Sequence, residues 1–146
     1  MTGEVDCKVE LILAIGPRGS PITGQSIATD TWVAGSKHRI IAVNNNFEGM
    51  NVFRKIIRSL EFSLDILGKA FLYRPSALYL SIKRSTFGSA VDLICVILFR
   101  AVSSGPIVIH LHGADLNKER RRYIPNLIIK TIGKEATDSI LLSPRM

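Results

Sequence analysis

Two stretches of this chain place chemistry-bearing side chains at spacings that a fold could use. The first is His110-Leu111-His112-Gly113-Ala114-Asp115. In a β-strand the side-chain period is two, so His110 and His112 would share one face. Gly113 would let the chain turn sharply past the strand, and Asp115 could cap a following helix. His110 reads as a packed, hydrogen-bonded histidine, and His112, beside glycine at the strand end, as the better ligand contact. A metal would need a further ligand, and none has suitable spacing, so no metal site is expected. The second stretch is the loop Gly16 to Ser26, which contains Gly19, Gly24 and Gln25. Glycines let backbone N–H groups approach a phosphate, and a following helix N-terminus adds partial positive charge. Gly19 to Ser26 spells G-x-x-x-x-G-Q-S, but Gln25 stands where a nucleoside-triphosphate loop needs lysine, so that activity is excluded. An ordinary strand-to-helix turn would account equally well for the same glycines.

Asp92 sits early in an apolar segment. It reads first as a favourable charge near a helix N-terminus, and alternatively as a buried acceptor holding the Lys83 to Phe87 loop. Lys118, Arg120, Arg121 and Arg122 form a basic run. Only Tyr123 is interleaved with it, so nucleic acid is not the expected partner. A solvated face, an anionic membrane or a phosphorylated acceptor remain for that run and for Arg54, Lys55 and Arg58.

These residues need a scaffold, and the hydrophobic pattern supplies one. Aliphatic runs at Val9–Ile15, Arg39–Val43, Leu78–Ile82, Ile107–Leu111 and Ser139–Leu142 read as strands. Helical spacing separates them at Gln25–Ala34, in the segment Phe53, Ile56, Ile57, Leu60, Leu64, Leu67 and Phe71, and in Phe87–Val102, which is apolar nearly all round. The amphipathic segment predicts a core-facing apolar side and an outer side carrying Arg54, Lys55, Arg58, Glu61, Asp65 and Lys69. Arg74-Pro75 ends it, and Ser103-Ser104-Gly105 is expected to close the next helix through a left-handed glycine. Alternation of strand and helix predicts an α/β fold, a parallel sheet with helices on both faces. Ligands of such sheets sit beyond the carboxyl ends of the strands, which points to Gly16–Gln25, Asn44–Asn46, Lys83–Gly88, His112–Asp115 and Ser143.

Composition sets the outer limits. The 146 residues are 47% hydrophobic, with a net charge of +7 from 19 basic and 12 acidic side chains. This excludes a disordered chain and suits one domain, residues 1–146, with an anionic partner. Cys7 and Cys95 make no disulfide framework or zinc spacing, which fits a reducing, cytoplasmic compartment. The apolar stretch Leu93–Phe99 is bounded by Asp92 and Arg100, too short to span a bilayer. The end at Ser143-Pro144-Arg145-Met146, just after a strand, reads as a truncation.

Several of these segments together resemble the N-terminal half of a family 4 glycosyltransferase of the bacterial polysaccharide type. They are Pro21-Ile22-Thr23-Gly24-Gln25-Ser26, then Leu78–Ile82 with Gly88 and Asp92, then Ile107-Val108-Ile109-His110-Leu111-His112-Gly113, and Thr137 to Met146. The resemblance implies a Rossmann-like, acceptor-side domain, one half of a GT-B architecture. It implies transfer of a sugar from a nucleoside diphosphate sugar, a co-substrate rather than a bound cofactor, to a glycan or lipid-linked acceptor. By carry-over His112 would be the catalytic-centre residue, and Gly24, Gln25 and Gly113 would border the donor diphosphate. A second half would carry the paired glutamates and the diphosphate clamp, so this chain alone is expected to be inactive. The resemblance also implies a peripheral position on the inner face of an anionic membrane. The alternative class is a stand-alone Rossmann-like module for an anionic ligand or a partner protein.

Overall fold

The computed structural model describes residues 11–19, 22–47, 49–83, 85–111 and 123–141. They form β1 (Leu11–Gly16), α1 (Gly24–Gly35), β2 (Arg39–Asn44), α2 (Val52–Tyr73), β3 (Ala77–Ile82), α3 (Thr86–Val102), β4 (Ile107–Leu111), α4 (Tyr123–Glu135) and β5 (Asp138–Leu141). The strands make one parallel sheet in the order β2-β1-β3-β4-β5. The expected α/β, Rossmann-like class is the class observed. Continuous aliphatic strands require cover on both faces, and right-handed crossovers decide where the cover goes. The β1 to β2 connection runs one way along the sheet, and every later connection runs the other way. Accordingly α1 packs on one face and α2, α3 and α4 on the opposite one.

The larger core lies under those three helices. Leu13, Ile15, Leu78, Leu80, Ile107 and Ile109 meet Phe62 and Ile66 of α2, Cys95, Val96 and Phe99 of α3, and Ile132 of α4. The smaller core joins Ile12, Ala14, Ala77 and Tyr79 to Trp32 and Val33 of α1. Here the Trp32 and Tyr79 rings stack, with centroids 3.9 Å apart. Tyr79 in turn hydrogen-bonds Nδ1 of His110 at 2.5 Å, so His110 is the packed histidine its position suggested.

Two local expectations are corrected. Gly105 does not close α3 in a left-handed conformation, because positive φ among the described residues occurs at Gly19, Gly49 and Arg74. Ser103 ends α3 in extended conformation, and glycine is needed at 105 because a Cβ there would collide with the Ser76 carbonyl oxygen. Helix α2 also departs from expectation. Its buried residues are Phe62, Ile66 and Ala70, while the predicted core-facing residues are exposed. The sheet lies under the narrower stripe because α2 sits at the end of its layer, with α3 as its neighbouring helix.

Candidate functional site

The strand order reverses at β1, between β2 and β3, and parallel strands all present their carboxyl ends to one edge. Such a switch point opens a crevice between the diverging loops. A cleft of about 370 Å³ occupies it, bordered by Pro17 and Gln25, by Asn46 and Phe47, by Lys55, and by Lys83, Ser85, Phe87 and Gly88.

The walls are fixed by side chains at the strand ends. Asn44, closing β2, accepts from the Arg18 and Asn46 N–H groups at 3.1 Å and donates to the Arg18 carbonyl at 3.0 Å. It thereby ties the β1–α1 loop to the end of β2. Arg18 also pairs with Asp30 at 2.6 Å, and the guanidinium holds that carboxyl below its ordinary range. Gly16 allows close approach of α1, since a Cβ there would stand 2.8 Å from Thr29 Oγ1. The first helix then starts at a capping box, in which Thr23 and Ser26 satisfy each other's backbone N–H. Gly24 takes its first helical position, with open space where a Cβ would stand. Gln25 points across the crevice, its Nε2 donating to the Ile82 carbonyl at 3.3 Å.

Lys83 is the principal charge at the site. Its Nζ donates to the Asn45 carbonyl and lies 4.3 Å from the centroid of the Phe47 ring, over its face. Its backbone N–H donates to Asp92 Oδ2 at 2.7 Å. Asp92 is completely buried, and burial pushes its carboxyl up, against the opposing pull of that N–H and of the Lys83 charge. The preferred reading of Asp92 as a simple first-turn charge is therefore replaced by the alternative, a buried acceptor that fixes the loop after β3. Gly88 has a matching steric reason. A Cβ there would stand 2.6 Å from Lys83 Cβ and 2.7 Å from Ser85 Oγ. Ser85 caps α3, its Oγ accepting from the Gly88 N–H at 3.0 Å, so the positive end of the α3 dipole faces the same loop.

Lys55 and Lys83 border this cleft, and no carboxylate or histidine is among the described residues lining it. The arrangement is suited to holding an anion such as a phosphate or diphosphate. Of the residues expected at the site, Gln25 lines the cleft and Gly24 begins the adjacent helix. His112 and Gly113 lie outside the described residues, as do Lys118 to Arg122. β4 ends at Leu111 on the same edge of the sheet. The sequence marked Lys83–Gly88 as a loop at a strand end and Lys55 as part of a basic cluster, but gave Lys55, Lys83 and Ser85 no individual role in the site. The usable signal was a lysine immediately after a buried strand, with glycine five and aspartate nine positions further on. Among the described residues no helix is long and apolar enough to cross a membrane. Compared with known families and with curated proteins, the sequence matches no family and no curated protein.

Proposed function

We propose that this domain is the acceptor-binding half of a glycosyltransferase that moves a sugar from a nucleoside diphosphate sugar to a glycan or lipid-linked acceptor. The observation that supports it is the convergence of the β1–α1, β2–α2 and β3–α3 loops on one cationic cleft at the switch point. The first of these loops contains, and the third is flanked by, residues on which the sequence resemblance rests. In this reading Lys83 and Lys55 attract the phosphate of an acceptor or donor, and Gln25 and Ser85 supply neutral hydrogen bonds. The resemblance assigns Gly24 and Gly113 to the diphosphate and His112 to the reacting centre. A GT-B enzyme closes its site between two Rossmann-like units, so a lone unit binds without transferring. The proposal extends to a peripheral place on an anionic membrane.

A second reading has its own support. The absence of a carboxylate or histidine among the described lining residues suits a module that binds an anionic ligand and does no chemistry. Calorimetric titration separates the two. On the glycosyltransferase reading a uridine or guanosine diphosphate sugar, or a polyprenyl phosphate analogue, binds more tightly than pyrophosphate. Lys83→Met weakens that binding about tenfold or more, as expected for loss of a charged contact. Equal affinity for pyrophosphate and for every nucleotide sugar and lipid phosphate would favour the anion module. Sugar transfer by this unit alone, seen by mass spectrometry of the acceptor, would refute the assignment of one half.

A further inference from the structure

Helix α2 carries two apolar stripes, and the fold uses one. Phe62, Ile66 and Ala70 are buried in the core. Phe53, Ile57, Leu60, Leu64, Leu67 and Phe71 advance by alternate steps of four and three, so they form a straight seam along the helix. At about 1.5 Å per residue the seam is close to 30 Å long. Phe53 is 72% exposed, Leu60 61%, Leu64 70% and Phe71 70%, with Ile56 and Ile57 exposed beside them. The adjoining α3 adds Ile94 and Ile97, also exposed and one turn apart. Soluble monomers rarely leave so long an apolar surface in water.

The charges around the seam choose its occupant. No acid interrupts it. Glu61 and Asp65, the acids of α2, are paired within the helix, to Arg58 at 2.9 Å and to Lys69 at 2.5 Å. What α2 offers beyond those pairs is positive: Arg54 and Lys55 near its start and Arg74 at its C-terminal cap. A second copy would set one chain of +7 against another, with the α2 acids already engaged. An anionic lipid surface complements both features, since apolar side chains enter the acyl boundary while neighbouring cations reach the headgroup phosphates.

We propose that the Phe53–Phe71 face of α2, with Ile94 and Ile97 of α3, seats the protein on an anionic membrane, α2 lying in the plane of the interface. A consequence, which rests on the function proposed above, is the choice of acceptor. Lys55 belongs both to the first turns of α2 and to the cleft wall, on the flank of the helix away from the seam, so the cleft would open about one helix diameter above the seated face. That favours an acceptor whose phosphate is carried on a lipid over a free glycan.

Co-sedimentation with vesicles tests the proposal, comparing phosphatidylcholine alone with an equal mixture of phosphatidylcholine and phosphatidylglycerol. The wild-type protein is expected on the anionic vesicles and more weakly on the neutral ones. Leu60→Gln with Leu64→Gln should lower the partition coefficient about tenfold or more, because each leucine forfeits its transfer from water. Arg54→Glu should weaken binding to the anionic vesicles alone. In a separate Leu64→Trp variant, brominated lipid should quench the new fluorophore. Absence of vesicle binding, binding indifferent to the double substitution, or an unquenched Trp at 64 would overturn the proposal. So would a dimer in sedimentation equilibrium that the double substitution dissociates. Titration of the cleft with a soluble nucleotide sugar keeps the two ideas apart. Cleft binding that survives loss of vesicle binding leaves the functional reading standing. Vesicle binding without any cleft ligand leaves the membrane face standing.

Discussion

Asp92 and Gly88 show how single side chains hold the cleft. A carboxyl whose folded-state pKa is raised binds its proton more tightly in the native protein than in the unfolded chain. Its contribution to stability is therefore present at low pH and is lost as pH rises from the ordinary value of 3.8 toward the raised one. Asp92→Asn keeps an oxygen for the Lys83 N–H and removes the ionisation. Urea unfolding at about pH 5 and about pH 8 should show wild type losing stability relative to this variant at the higher pH. Asp92→Ala should cost about 1–3 kcal/mol at the lower pH, since it leaves a buried N–H without its acceptor, and less at the higher pH, where wild type has lost the stability linked to the proton. At Gly88 even one methyl group would press on the Lys83 stem and on the cap of α3. Gly88→Ala should therefore destabilise by about 1–3 kcal/mol and also weaken anion binding in calorimetry, because the displaced Lys83 is one of the two lysines that border the cleft.

At the scale of elements, α2 separates amphipathic pattern from burial. Its most regular apolar seam is not the one that packs. Ile66→Ala should cost about 2–5 kcal/mol in urea unfolding, the usual range for emptying a core site. Leu64→Ala, two residues earlier in the same helix, should change stability by less than about 0.5 kcal/mol. A large loss at Leu64 would mean that the exposed seam is covered within the folded chain. The ends of this helix are local matters: Asn51 accepts from the Arg54 N–H at 2.9 Å, and Arg74 turns the chain in a left-handed conformation with φ 45°.

For the whole molecule, the order β2-β1-β3-β4-β5 makes β1 and β3 central and leaves β2 and β5 at the margins. Central strands exchange amide hydrogens through openings close to global unfolding, whereas edges open locally. Leu13, Ala14 and Leu80 should be among the slowest amides in native-state hydrogen exchange, and Arg39 and Ile41 markedly faster. Comparable rates in β2 and β1 would show that the margin is covered. The same topology places the cleft, for only where neighbouring crossovers diverge is there space between loops at the carboxyl edge.

The sequence by itself determined the elements. Aliphatic runs ending at Gly16, Asn44 and Lys83 read as strands of a parallel sheet, and they fall within a residue or two of the observed ones. It also located the loops that would carry chemistry, because in a parallel sheet every carboxyl end meets one edge. It selected Gln25, which reaches the cleft, and favoured His110 as a packed histidine, which it is. Tertiary structure alone decided the rest. Periodicity reports that a helix has an apolar stripe, not which stripe finds the sheet, and so α2 was read with its core-facing side reversed. Burial of Asp92 depends on Lys83 and Gly88, distant in local pattern yet pressed together by the turn from β3 into α3. The loop of Lys83 was legible, but what holds its ammonium, the Asn45 carbonyl and the Phe47 ring just past the end of β2, was not. Contacts between segments far apart in the chain leave no periodic trace, because each partner's own neighbours are compatible with several other surroundings.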